Sequence, residues 1–440
     1  MGEGGRNRDG RDGTEAAVLH ETPAGSRGTV FHIRAGKDGG LEIPAGLAHD
    51  LGLEPGADLE AISREGGVEL RPNIHSLARV YIEPTARCNL ACETCVRNTW
   101  KEPMGDMDLR VFERLLAQFD RFPHLKSVMF GGFGEPTAHP DILAMIRGVK
   151  GKGLRAEMVT NGTLLDKDMA EGIVASGLDT LWVSFDGASE ASYEAIREGA
   201  NYAGVVGNVR RLLDRSKDRG RRIEIGIAFV VMKKNIDDLR RIDRLIEAVG
   251  ASRVSISNVL PYSADMEKQM VCSLALSLET FSAAPGKVEV SLPRLDINNL
   301  TRETIFNLLR GYENLSLMGN PIRTRIKSCR FIRERCTFIR WDGKVSPCMG
   351  LLHAHKSFLN GNERTIEPWF AGDVATGGLH EAWHSQAYHD FRARVDAFDF
   401  APCHACGGCN LIDTNAEDCL GSAFPACGGC LWAQGVIQCP

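Results

Sequence analysis

The chain has 440 residues, 43% of them hydrophobic and 25% charged, a composition long and apolar enough to build more than one core. Lysine plus arginine number 52 against 57 acidic residues, a formal net charge of -5, so a general affinity for a phosphate backbone is disfavoured. The longest apolar run, Ile227 to Met232, falls far short of the roughly 20 residues that span a bilayer, and no apolar segment follows the initiator, so a cytoplasmic protein without a secretory leader is expected.

Residues 1–27 are rich in Gly, Arg and small polar residues and read as a disordered tail. Over residues 28–72 short alternating stretches (Thr29–Ile33, Leu41–Ile43, Asp58–Ile62, Val68–Leu70) read as strands between Gly-rich turns, with a short helix over Ala45–Leu51. From 79 to 290 the pattern becomes strand then helix, repeatedly. Strands are expected at Arg79–Ile82, Ser127–Phe130, Arg155–Thr160, Thr180–Phe185, Glu224–Val231 and Arg253–Ser257. Helices are expected at Leu109–Phe119, Ile142–Lys150, Asp166–Ser176, Tyr202–Ser216 and Ile236–Ala248. Six such units make a parallel α/β sheet, a partial barrel or a doubly wound one. Residues 291–328 read as connecting helices, and 329–440 as a Cys-rich, Gly-rich region with little periodicity.

Cysteine is the abnormal count: fourteen, none before Cys88, and ten within 329–440. In a reducing compartment such crowding points to metal ligation rather than disulfides. Cys88, Cys92 and Cys95 follow the first strand with the spacing Cys-x3-Cys-x2-Cys. Three thiolates on one loop suit an iron–sulfur cluster with one open iron better than a four-ligand structural zinc. In the tail, Cys329, Cys336 and Cys348 frame a strand–turn–strand with Asp342-Gly343 at the turn. Cys403, Cys406, Cys409, Cys419, Cys427, Cys430 and Cys439 follow. Iron–sulfur clusters or a zinc knuckle would both use such a set. Cys272 stands alone in an apolar segment and reads as a structural thiol, while His353 and His355 read as loop polarity.

The triplet after a first strand resembles the signature of the radical S-adenosylmethionine superfamily, and further motifs follow in that family's order. Phe130-Gly-Gly-Phe-Gly134-Glu135-Pro136 resembles its glycine–glutamate motif, Thr160-Asn161-Gly162 closes the third strand, and Val183-Ser184-Phe185-Asp186-Gly187 closes the fourth. The resemblance implies a partial (β/α)6 barrel that binds a four-iron cluster and S-adenosylmethionine. It implies that Gly132, Gly134 and Glu135 hold the methionyl amino group, and that Asn161, Ser184, Arg197 and Asn258 lie against the rest of the cofactor. Thr94 stands where the family usually has an aromatic residue. The motifs do not single out an acid or base.

The tail resembles the SPASM extension of such enzymes, which implies two auxiliary four-iron clusters, the first held by Cys329, Cys336, Cys348 and one later cysteine. Residues 28–72 resemble the AbrB/MazE swapped hairpin, but four basic residues (Arg34, Lys37, Arg64, Arg71) face eight acidic ones there. A dimerisation or docking module is therefore expected, and DNA binding is not. The endings FDFAPC, CNLIDTNAEDC and PACGGCLWAQGVIQCP resemble maturases of tungsten-containing aldehyde oxidoreductases. This resemblance implies a radical step in maturing such an oxidoreductase or its tungstopterin, with a ferredoxin- or flavodoxin-type reductant. Two enzymatic alternatives use the same barrel, a peptide-modifying and a sulfatase-maturing type; a metal-binding regulator is the non-enzymatic one.

Overall fold

The computed structural model describes residues 73–272, 298–299, 301–303, 329–404 and 409–440, with short elements between 18 and 72 and between 289 and 322. The chain divides into two units, Met1–Asn73 and Ile74–Pro440.

In the first unit Leu59–Arg64 pairs antiparallel with Gly67–Pro72, and a helix spans Ala45–Asp50. Val18–Glu21 pairs antiparallel with Arg27–Val30. Val18–Glu21 falls within the segment expected as a disordered tail.

The second unit is built on a nine-stranded sheet. Six strands run parallel in chain order: β1 (Arg79–Ile82), β2 (Ser127–Phe130), β3 (Arg155–Thr160), β4 (Thr180–Ser184), β5 (Glu224–Val231) and β6 (Arg253–Asn258). Each lies within a residue of its sequence expectation. Val128, Met129 and Phe130 are all fully buried, as strands covered on both faces must be. Each such side chain contributes about 1.5–3 kcal/mol of transfer free energy.

Helices α1 (Leu109–Gln118), α2 (Ile142–Gly151), α3 (Lys167–Ser176), α4 (Glu190–Ile196), α5 (Tyr202–Asp218) and α6 (Ile242–Val249) cross between strands. In α2, Ile142, Met145, Ile146 and Val149 are buried, the i, i+3, i+4, i+7 stripe of an amphipathic helix. Asp166 caps α3 by accepting from the Met169 N–H at 2.8 Å, and Gly177 ends it at φ 86°. The helix expected over Ile236–Ala248 begins as a 3-10 turn, Ile236–Arg241, which buries no side chain.

The tail is more regular than its composition implied. Strand β7 (Cys336–Ile339) pairs parallel with β1, and β8 (Lys344–Ser346) turns back beside it. A hairpin follows, β9 (His355–Leu359) and β10 (Asn362–Ile366), then β11 (Gly372–Asp373) closes the sheet edge. Helices α7 (Leu379–His384) and α8 (Gln386–Ala397) come next. In α8, Tyr388, Phe391, Arg392 and Val395 are buried.

Among the described residues the sheet does not close on itself, since β6 pairs there only with β5. The chain's last residues cross that opening. The Asn258 amide donates to the Val436 carbonyl at 3.3 Å, and the Gln438 amide to Ser257 Oγ at 3.0 Å. From the opposite side, the Tyr81 hydroxyl on β1 donates to the Pro440 carbonyl at 3.1 Å. The tail thereby becomes part of the barrel interior.

Candidate active site

The cysteine triplet lies on the loop leaving β1. Its backbone is pinned from several directions. Ala86 donates to Gly105 O at 2.9 Å, and the Arg97 guanidinium donates to Ala86 O at 3.2 Å and Leu90 O at 3.0 Å. Arg97 Nε also points to Cys95 Sγ at 3.4 Å, and Asn161 Nδ2 to Cys88 Sγ at 3.7 Å. All three thiols are partly buried. Burial raises the pKa of Cys88, and raises that of Cys92 to about 11 against the pull of Arg197. Donors aimed at sulfur around half-buried thiols suit sulfurs that carry negative charge.

The glycine loop after β2 is fitted to this one by shape. A Cβ on Gly134 would fall 2.0 Å from the Thr85 carbonyl oxygen and 2.7 Å from that of Arg87, so only glycine allows the two loops to meet. The next amide, Glu135 N, donates to Arg87 O at 2.8 Å.

The Glu135 side chain is held by its own chain. It is buried, and Oε1 accepts from Thr137 N (3.0 Å), Thr137 Oγ1 (2.5 Å) and Thr160 Oγ1 (2.6 Å), while Oε2 accepts from Asn161 N (2.7 Å). The carboxylate ties the β2 and β3 loop ends together, and Oε2, with one bond, keeps acceptor capacity. Asn161 is likewise turned toward the cysteine loop: its Nδ2 also donates to Asn89 Oδ1 at 2.9 Å, and its Oδ1 accepts from Thr163.

Arg197 is also tied within the chain. It is buried, and its guanidinium faces Asp186 at 3.0 Å. Burial opposes its charge, but Asp186, then Cys92, hold its pKa above the ordinary value. Arg197 thus pairs with Asp186 beside Cys92, and its buried Nε has no hydrogen-bond partner among the described residues.

The remaining expected residues do share a space. A cavity of about 240 Å³ opens among the C-terminal ends of the strands, lined by Gly132, Phe133, Ser184, Asn258, Thr94 and Cys95, among others. Asn258 Nδ2 donates to Val436 O at 2.9 Å, leaving its buried Oδ1 unpartnered. Cys439 and Pro440 also line this cavity, a placement no local spacing signalled. Strand ends of a parallel barrel are where such sites form.

A second cavity lies in the tail, and Cys329, Cys348, Cys427 and Cys430 all line it. Cys336, expected in the first auxiliary set, does not. It opens β7, pairs in register with Arg79, and is buried in the sheet. Cys439 belongs to the barrel cavity instead, Cys419 is exposed, and Cys406 lies outside the described residues. Burial raises the pKa of all four cavity thiols, Cys329 to about 12, and neighbouring thiols add to the rise at Cys329, Cys348 and Cys427. Such a set remains protonated unless a cation supplies the opposing charge. Cys272 is a half-buried thiol, its pKa raised by burial to about 11.

Both donor sets fit iron–sulfur centres. They are all-thiol and partly or wholly desolvated, and the first has three cysteines with basic donors behind them. Among the described residues no three Cys, His, Asp or Glu side chains converge as a single-ion site.

The open parallel barrel, the three-cysteine loop at its strand ends and the cysteine-rich extension define a radical S-adenosylmethionine enzyme. Residues 82–246 match the radical SAM superfamily and residues 329–410 the SPASM iron–sulfur cluster-binding domain. The chain is a radical SAM enzyme that carries a cluster-binding SPASM domain. Among its relatives is the tungsten-containing aldehyde ferredoxin oxidoreductase cofactor-modifying protein of Pyrococcus furiosus, 29% identical over 366 residues, 82% of this chain and 96% of that one. The mycofactocin maturase MftC of Mycobacterium ulcerans is 24% identical over 346 residues, 78% of this chain and 82% of its own. An AdoMet-dependent heme synthase of Nitratidesulfovibrio vulgaris is 31% identical over 182 residues, 41% of this chain and 47% of its own. The non-enzymatic regulator alternative gives way. Among the described residues no helix is long and apolar enough to cross a membrane.

Proposed function

We propose that the chain is a maturase for a tungsten-containing oxidoreductase or its cofactor, using a cluster held by Cys88, Cys92 and Cys95. The observation that carries this reading is the barrel cavity, which has Cys95 in its wall and the glycine loop beside it. The length of the likeness to the Pyrococcus furiosus protein supports the client. When bound, the cluster and S-adenosylmethionine supply a 5′-deoxyadenosyl radical that abstracts hydrogen from a substrate.

This chain's own residues bind and orient. Gly132, Phe133, Ser184 and Asn258 form the walls on which the cofactor lies, and the unpartnered Asn258 Oδ1 offers it an acceptor. Glu135, Asn161 and the Arg197–Asp186 pair keep the cysteine loop and the strand ends in register. The C-terminal stretch from Val436 closes the barrel opening and excludes water. In the tail, Cys329, Cys348, Cys427 and Cys430 hold an auxiliary cluster, and Cys403, Cys406, Cys409 and Cys419 remain for a second. A ferredoxin- or flavodoxin-type protein supplies the electron. The thiol load suits a reducing compartment such as the cytoplasm. Residues 28–72, with their net charge of -4 from four basic and eight acidic residues, serve as a dimerisation or client-docking module.

Anaerobic incubation of the iron-loaded enzyme with a tungsten aldehyde oxidoreductase made without it tests the client. We expect 5′-deoxyadenosine to form in proportion to a mass change on that protein or on its extracted cofactor. A mass change on a short peptide instead, with none on the oxidoreductase, would transfer the assignment to the peptide-modifying type.

A further inference from the structure

His353 lies in the tail, between the short 3-10 turn Met349–Leu351 and β9. Its side chain is fully buried. Nε2 is 2.8 Å from Glu83 Oε2 and Nδ1 is 3.0 Å from Glu102 Oε2. Trp100 stacks on the ring at 4.2 Å and Phe133 meets it edge-on at 5.9 Å. An ionised carboxylate only accepts, so satisfying both bonds places a proton on each ring nitrogen.

Glu83 is the residue immediately after β1, and it is buried. Its other oxygen, Oε1, accepts from the Phe133 amide at 3.1 Å. A Cβ on Gly132, where φ is +128°, would fall 2.6 Å from Glu83 Cγ. The carboxylate therefore sits directly under the Gly132–Phe133 peptide, and both of those residues line the barrel cavity. We propose that His353 is a positioning residue: by fixing Glu83 it holds the Gly132–Phe133 peptide in the cavity wall, and so makes cofactor binding in the barrel depend on the tail. The cofactor part of this inference rests on the radical SAM reading of the cavity; the linkage to the peptide does not.

The charged groups facing His353 are Glu83 from the end of β1 and Glu102 from the loop before α1. Behind Glu102, Arg340 approaches at 3.3 Å and is itself paired with Asp342 at 2.6 Å. Within the tail, the His355 ring lies 2.9 Å from the His353 carbonyl, and burial lowers its pKa to about 4, so it is neutral. Burial works to lower the His353 pKa, but the bonds to Glu102 and Glu83 outweigh it and the net shift is upward. A raised histidine pKa means the link is complete at and below the ordinary value near 6.5 and is lost as pH rises through the raised value. The pKa of Glu102 is lowered, burial being outweighed by His353, so that arm is lost only in acid.

The test uses the full chain with H353Q and E102Q, comparing hydrogen-exchange protection of the Phe133 amide and the KM for S-adenosylmethionine. At pH 6.5 H353Q should lower Phe133 protection about tenfold and raise KM more than it changes kcat. Protection in the wild type should fall with rising pH, and in H353Q it should be flat. E102Q removes only the more exposed arm and should move that fall about one pH unit lower, which decides the matter if H353Q does not fold. Unchanged Phe133 protection in H353Q, or an unmoved profile in E102Q, would overturn the proposal. A wild type that cleaves no S-adenosylmethionine would instead defeat the functional reading, with Phe133 protection still deciding the linkage.

Discussion

At the scale of single residues, the Glu135 carboxylate accepts four hydrogen bonds from its own chain. Glu135→Gln would turn an NH2 toward at least one of those donors, so we expect a loss of about 2 kcal/mol in unfolding free energy. A raised KM for S-adenosylmethionine should accompany it. Cys336 gives a sharper contrast. It begins a sheet strand, near enough to Cys329 for that thiol to raise its pKa, while Cys427 and Cys430 reach the tail cavity from nearly a hundred residues away. We expect Cys430→Ser to lose about four iron atoms per chain and Cys336→Ser to lose none, measured by iron analysis and Mössbauer spectroscopy of anaerobically purified protein. Loss of iron in Cys336→Ser would reverse that ligand assignment. His353 was legible only as loop polarity, because its two carboxylate partners lie 270 and 251 residues away.

Secondary elements were the most legible level. The barrel strands announce themselves as apolar runs such as Val128-Met-Phe130, and capping residues such as Asp166 mark where helices begin. What failed was the short and the non-local. The Glu190–Ile196 helix is barely two turns, and α8 was hidden by the cysteines around it although Tyr388, Phe391 and Val395 keep helical spacing. No pattern in β7 says that it will extend the barrel sheet beside β1, since that partner is set by tertiary packing. Two substitutions separate element stability from site geometry. Asp166→Ala should cost about 1 kcal/mol in denaturant unfolding and leave cofactor cleavage intact. Gly134→Ala drives a methyl against the Thr85 carbonyl, parting the glycine and cysteine loops. A misplacement of that kind should lower cleavage of S-adenosylmethionine about 100-fold or more. Equal cleavage rates in the two variants would contradict the fit of those loops.

For the whole molecule, the tail is part of the barrel rather than an appendage. Its strand β7 extends the sheet, its last residues line the cavity, and His353 reaches under the glycine loop. The first unit is separate by contact, so deleting residues 1–72 should leave cleavage of S-adenosylmethionine intact and abolish dimerisation or client docking, as size-exclusion and pull-down measurements would show. The central claim is that Cys88, Cys92 and Cys95 hold the cluster that makes this chain a radical enzyme. It is tested most directly by quantifying 5′-deoxyadenosine after anaerobic reconstitution and reduction of the wild type and of the triple Cys→Ala variant. The wild type should form 5′-deoxyadenosine and the variant none, while the variant's tail keeps its iron. Formation of 5′-deoxyadenosine by the triple variant at the wild-type rate would contradict the account.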